Sequence, residues 1–139
     1  MRTAIDSNIL SALFGLEPTS AKLVQLLGRC RQEGTLAICG TVFAEVHAIP
    51  RMTPALLAEF LSDTGITVDP AVSLADWSTI GLAFGKYADR RRANGGGQPK
   101  RFLADFAIGA HAFASCDRLL TLDVTRYRTA YPTLTLLRL

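Results

Sequence analysis

Four acidic residues of the chain fall where they could act on one substrate together. Asp6 ends the short apolar run Thr3–Ile5, and Asp123 directly follows RLLTL (118–122). Asp105 lies near the start of the apolar stretch FLADFAIGAHAFA (102–114). Glu45 sits in TVFAEVHA (41–48), with Thr41 four residues earlier on the same helical face. Converging carboxylates repel one another and raise their own pKa values unless a cation sits between them. An all-oxygen set with no His or Cys arrangement suits Mg²⁺ or Mn²⁺ better than Zn²⁺. The chemistry that uses such a cluster is phosphodiester hydrolysis, in which the ion lowers the pKa of a water and offsets charge in the transition state.

Each acid also has a simpler reading. Asp6 could cap the helix that follows it, Asp123 could cap the turn Thr125–Arg128, and Asp105 could pair with Arg101 at i−4. Glu45 is harder to dismiss, because its segment is otherwise apolar and offers no cation at i±3 or i±4. The pattern predicts a buried carboxylate that needs a partner or a metal. The other acids read as structural: Asp76 in a capping box with Ser73, Asp63 in the last turn of a helix, and Glu17, Glu33, Glu59 and Asp89 on solvated faces. Asp117 lies at the opposite end of its strand from Asp123. His47 and His111 have no paired Cys or Ser nucleophile and read as structural.

The elements that would position the four acids alternate in type. Apolar runs TAI (3–5), LAIC (36–39), ITV (66–68), RLLTL (118–122) and LTLLR (134–138) predict strands. Between them, helices are predicted from Asn8 to Phe14, Ser20 to Gln32 and 41 to 48. Thr53-Pro54 opens another that Gly65 closes, and the Ser73–Asp76 capping box opens a long one carrying Leu74, Trp77, Ile80, Phe84 and Tyr87. Short, continuously apolar strands alternating with helices imply a parallel sheet covered on both faces. In such sheets ligands bind beyond the carboxyl ends of the strands, which is where all four acids map.

At 139 residues the chain is the size of one domain, 1–139, with no internal repeat. Only 19% of residues are charged against 49% hydrophobic, a composition that suits either an alanine-rich core or an exposed apolar partner surface. The net charge of +3 is concentrated: Lys86, Arg90, Arg91, Arg92, Lys100 and Arg101 face the single acid Asp89 within 86–101. Arg90, Arg91, Arg92, Lys100 and Arg101 flank NGGGQP (94–99), which reads as a flexible segment, its basic residues either solvated or suited to a polyanion. Cys30, Cys39 and Cys116 are odd in number and form no CxxC pair, as expected of buried thiols in a reducing cytoplasm. No signal-peptide pattern opens the chain and no apolar run reaches membrane-spanning length, so a cytoplasmic protein with no membrane partner is expected.

The ordered set IDSNIL, TVFAEV, LADFAIGAHA and LLTLD, with a trailing YPTLTLL, resembles the PIN-domain ribonucleases, and within them the VapC-type toxins of toxin–antitoxin pairs. Each motif alone is weak; the order and spacing span the whole chain. The resemblance implies a PIN-like three-layer α/β/α sandwich on a parallel four- to five-stranded sheet. It also implies Mg²⁺- or Mn²⁺-dependent cleavage of RNA. It assigns the metal-ligand, catalytic acids to Asp6, Glu45, Asp105 and Asp123, and supporting polar positions to Asn8, Thr41 and Thr121. It further implies a homodimer and a cognate VapB-like antitoxin that inserts a segment across the site. Beside it, the basic segment from Arg90 to Arg101 reads as a solvated loop, a rim gripping RNA phosphates or a seat for an acidic antitoxin tail.

Two other acid-bearing parallel folds fail on their residues. A receiver domain needs an acceptor Asp after the third strand and a Lys after the fifth. A haloacid-dehalogenase-type phosphatase needs D-x-D where this chain has D-S-N. The alternative of a different class is a PIN-fold nucleic-acid-binding module that acts with an antitoxin-like partner and does not cleave.

Overall fold

The computed structural model describes residues 1–96 and 103–139. β1 (Arg2–Ile5), β2 (Thr35–Cys39), β3 (Ile66–Asp69), β4 (Arg118–Leu120) and β5 (Leu136–Leu137) form one five-stranded sheet in the order β3-β2-β1-β4-β5. All its pairings are parallel. The strands are short. The edge strands β3 and β5 are mostly half-buried or exposed, but the inner strands β2, β1 and β4 are largely buried, with Ala4, Ile5, Ile38, Leu119 and Leu120 in the core. Burial on both faces is why they read as unbroken apolar runs.

The helices follow their local signals. α1 (Ser7–Phe14) and α2 (Ser20–Glu33) lead to β2, and α3 (Gly40–Val46) and α4 (Pro54–Thr64) lead to β3. Thr53 caps α4 by accepting from Leu56 N–H at 3.1 Å, with Pro54 at the first turn and Gly65 left-handed at its end. α5 (Leu74–Ala93) opens with the predicted Ser73–Asp76 capping box. α6 (Leu103–Ser115) is the most buried helix, hiding Asp105 through Ala110 and also Ala112. Glycine is required where α2 turns into β2, because a Cβ on Gly34 would collide with the Met1 backbone.

Adjacent residues of β1 show the two covered faces. Arg2 reaches Asp69 at 2.8 Å and the Ser115 carbonyl of α6, whereas Thr3 accepts from Arg118, which pairs with Glu33 of α2. The β1-to-β2 and β3-to-β4 crossovers therefore lie on opposite faces, as right-handed connections demand in this strand order. The result is a three-layer α/β/α sandwich.

Two strands are shorter than the sequence implies. β4 ends at Leu120 and β5 keeps two residues, although Thr121 N–H still donates to the Leu137 carbonyl at 3.0 Å.

Candidate active site

β1 is where the winding of the sheet changes direction. The chain leaves it for β2 on one side and returns beside it as β4, which opens a crevice at their carboxyl ends. Asp6 ends β1 at this crevice, its amide held by the Leu120 carbonyl at 3.0 Å. It occupies the N-cap position of α1, yet its side chain makes no capping hydrogen bond. Instead Oδ2 accepts from Thr121 Oγ1 at 2.7 Å, Asn8 Nδ2 at 2.9 Å and the Tyr127 hydroxyl at 2.9 Å. Asp6 is buried, with a relative exposure of 2%. The capping alternative fails, and a buried acid fixed by side-chain donors takes its place.

That burial pushes the Asp6 carboxyl above its ordinary 3.8. Hydrogen bonds from Thr121 and Tyr127 pull it back, and the nearby Asp105 charge adds to the rise. Burial, together with the Asp6 charge, drives the Tyr127 phenol far up, so it stays a donor. Asn8 and Thr121 work as a bracket. Asn8 also donates to Thr121 Oγ1 at 3.2 Å and accepts from Leu122 N–H at 3.2 Å, and Thr121 Oγ1 accepts from Asp123 N–H at 3.1 Å.

Asp105, buried in the first turn of α6, faces the same crevice and accepts from Arg126 Nη1 at 3.1 Å. Its alternative partner, Arg101, lies outside the described residues. Arg126 Nε also donates to Asp123 Oδ2 at 2.9 Å, so one guanidinium spans two of the four acids. Asp123 does cap its turn: Oδ1 accepts from Thr125 N–H at 3.2 Å and Thr125 Oγ1 at 2.6 Å. Those Thr125 bonds and the Arg126 charge hold its carboxyl below 3.8.

Glu45 overturns its expectation. α3 buries Val42 and Val46 and leaves Phe43, Ala44 and Glu45 exposed, so the segment is amphipathic and not buried all round. A carboxylate in water needs no partner. Thr41, half-buried in the first turn of α3, adjoins the Cys39 thiol. Among the described residues, no three His, Cys, Asp or Glu side chains are grouped to hold one ion. The four-acid cluster therefore reduces here to Asp6 and Asp105, with Asp123 tied to Arg126. This pair still suits a divalent cation by its donor chemistry. Oδ2 of Asp6 is taken by its donors, whereas Oδ1 accepts from Ser7 Oγ at the longer distance of 3.4 Å.

The basic residues divide. Arg90, Arg91 and Arg92 form the last turn of α5, where Arg92 pairs with Asp89 and Arg91 donates to the Gly96 carbonyl. Lys100 and Arg101 lie outside the described residues. Tyr127 and Arg126 were not singled out from sequence, although the D-x-x-R spacing of Asp123 and Arg126 is a legible i, i+3 signal. Asp69 was also overlooked. It accepts from Arg2 and pairs with His111 Nε2 at 2.7 Å, which gives His111 the structural role expected of it. His47 Nδ1 lies 2.8 Å from the Phe43 carbonyl, and the three cysteines are free.

No protein-family model matches the sequence, and no curated protein matches it. Among solved structures, VapBC2 from Rickettsia felis, bound to a DNA fragment from their promoter, superposes with a TM-score of 0.66. The match covers 99% of this chain and 98% of that one at 20% identity. The fold is therefore PIN-like, the architecture that the resemblance to VapC-type domains implied. At that identity the likeness fixes the architecture, and activity has to be argued from the site.

Proposed function

We propose that this chain is a Mg²⁺- or Mn²⁺-dependent endoribonuclease, the toxin of a toxin–antitoxin pair. The observation that carries this reading is the Asp6 carboxylate, buried at the switch point of the sheet and held by Asn8, Thr121 and Tyr127, with Asp105 beside it. Three directed donors replace the lost hydration of a carboxylate buried this deeply, and its place at the switch point is what supports reading it as a site. Asp6 and Asp105 would hold the ion, with Glu45 and Asp123 as outer acids that would have to turn toward it. A divalent cation bound there would supply a water of lowered pKa and offset charge on the attacked phosphate.

The chain's own groups do the rest. Thr121, Asn8 and Tyr127 favour the charged form of Asp6 and so oppose the effect of its burial. Arg126 spans Asp105 and Asp123, so substrate or ion must compete with it for those acids. The antitoxin, homodimer and cytoplasmic setting extend the same reading, supported by a fold shared with VapBC2. No helix among the described residues is long and apolar enough to cross a membrane.

Digestion of total RNA by the purified chain tests the proposal. Cleavage should require Mg²⁺ or Mn²⁺, stop with EDTA, and fall at least about 100-fold in Asp6→Asn and Asp105→Asn. Mn²⁺ should also raise the Tm of wild type by mass action and leave that of Asp6→Asn unmoved. Intact RNA under both metals, with no shift in Tm, would favour the second reading, a PIN-fold module that binds nucleic acid without cutting. The ion pairs that Arg126 makes with Asp105 and Asp123 are the observation on that side.

A further inference from the structure

A cleft of about 650 Å³ lies between α5, the end of α6 and the segment after α7 (Thr125–Arg128). Leu82, Lys86, Arg90, Phe113, Thr129 and Thr133 are among its walls. It continues through Arg90 and Thr129 into a second hollow of about 400 Å³ that Arg91 and Asn94 also line. We propose that this cleft is the track for a single strand of RNA entering or leaving the acidic site. The inference deepens the nuclease reading and rests on it for the strand's destination.

Charge is the first argument. No acidic residue is among the described residues lining either hollow. Lys86 and Arg90 are exposed and four residues apart, so they share one face of α5 about 6 Å apart along its axis. The nearest acid in sequence, Asp89, is engaged by Arg92. Two cations in a row, with no acid among the described residues that line the cleft, suit the phosphates of a backbone, and the Thr129 and Thr133 hydroxyls add donors of the kind that contact phosphate and sugar.

Stacking is the second. Phe113 is 55% exposed, unusual for a phenylalanine, and its inner side rests on Tyr131 with ring centroids 6.1 Å apart. The two rings are tilted by 34°, and more than half of Phe113 stays exposed in the cleft that Lys86 and Arg90 also line. Basic grooves with a braced aromatic face bind single strands, because every base offers a π-face. A duplex keeps its bases paired and cannot use that face.

Direction is the third. The Tyr87 and Phe106 rings are 5.7 Å apart, so the Arg90 end of α5 lies against the start of α6, where Asp105 is placed. Phe113 is eight residues further along α6, about 12 Å from Asp105 in axial rise. The cleft therefore lies along α6 in the direction that leads from the Asp105 end of the helix toward Phe113, with Lys86 and Arg90 on its α5 wall.

The test is fluorescence anisotropy with a labelled single-stranded RNA of about 12 nucleotides in EDTA, so that no cleavage is needed. The double variant Lys86→Ala/Arg90→Ala should bind more weakly. Its log-affinity against log-salt slope should be shallower by about 1.4, two contacts at about 0.7 each for a single strand. Phe113→Ala should lose roughly 5- to 150-fold in affinity, and Phe113→Trp should restore it. A duplex of the same sequence should bind more weakly than the single strand. Wild-type affinity and salt slope in both variants would overturn the proposal, as would a duplex binding equally well. Competition at these residues by an acidic peptide but not by RNA would overturn it too. If RNA binding follows these residues while digestion shows no metal-dependent cleavage, the track stands and the nuclease reading falls. The reverse pattern leaves the nuclease and removes the track.

Discussion

Tyr127 is the residue that best separates a working site from a structural one. Its hydroxyl donates to the same Asp6 oxygen as Thr121 and Asn8, from a helix far along the chain. Tyr127→Phe removes one bond to the charged form of Asp6 and leaves the ring in the core. The Asp6 pKa should rise further, since a donor that favours the carboxylate is lost. The acid limb of the cleavage rate against pH should then move to higher pH, with activity near its upper plateau reduced about 10-fold. An unmoved limb would mean that the Tyr127 bond does not tune the reacting group. Asp6 itself carries the opposite sign to an ordinary paired acid. Its folded pKa is raised, so its contribution to stability is present below 3.8 and lost as pH climbs through the folded value. At neutral pH, without metal, the site is therefore a cost to the fold.

At the scale of elements, two packings position these side chains. α6 crosses α7 at Gly109, where a Cβ would collide with the Tyr131 ring and press on Tyr127. Glycine to alanine inside a helix ordinarily gains about 1 kcal/mol. Here Gly109→Ala should instead lose about 1–3 kcal/mol by overpacking, read from urea unfolding. Because Tyr127 moves with it, cleavage should fall more than stability does. A stabilised Gly109→Ala would show that the helices separate freely. The second packing joins β1, β3 and α6 through Arg2, Asp69 and His111. Burial pulls the Asp69 carboxyl up, but hydrogen bonds from His111 and Arg2 outweigh it and hold it below 3.8. The lowered pKa makes this stability present above 3.8 and lost as pH falls through the folded value. The Tm of wild type should drop as pH falls below about 4, and Asp69→Asn should flatten that drop. Equal slopes in both proteins would remove Asp69 from the account.

At the scale of the whole molecule, the fold was legible because its signals are local. Unbroken apolar runs mark strands covered on both faces, and Ser73–Asp76, Thr53-Pro54 and Gly65 mark helix ends through bonds within four residues. These are enough to place Asp6, Asp105 and Asp123 at the carboxyl edge of the sheet. Glu45 shows where that reasoning stops. An apolar composition predicted burial all round, yet α3 turns only Val42 and Val46 inward, and which side of a short helix faces the core depends on neighbours distant in sequence. Arg126 and Tyr127 went unnoticed for the same reason. Their partners Asp105 and Asp6 lie 21 and 121 residues away, and no periodicity reports such a pairing. The sequence alone thus determined the alternation of elements, the parallel sheet and the edge on which its acids gather. Tertiary packing decided which acids are buried, which donors hold them and which guanidinium neutralises them. Burial and directed hydrogen bonds belong to three-dimensional neighbours, and those exist only once the chain has closed.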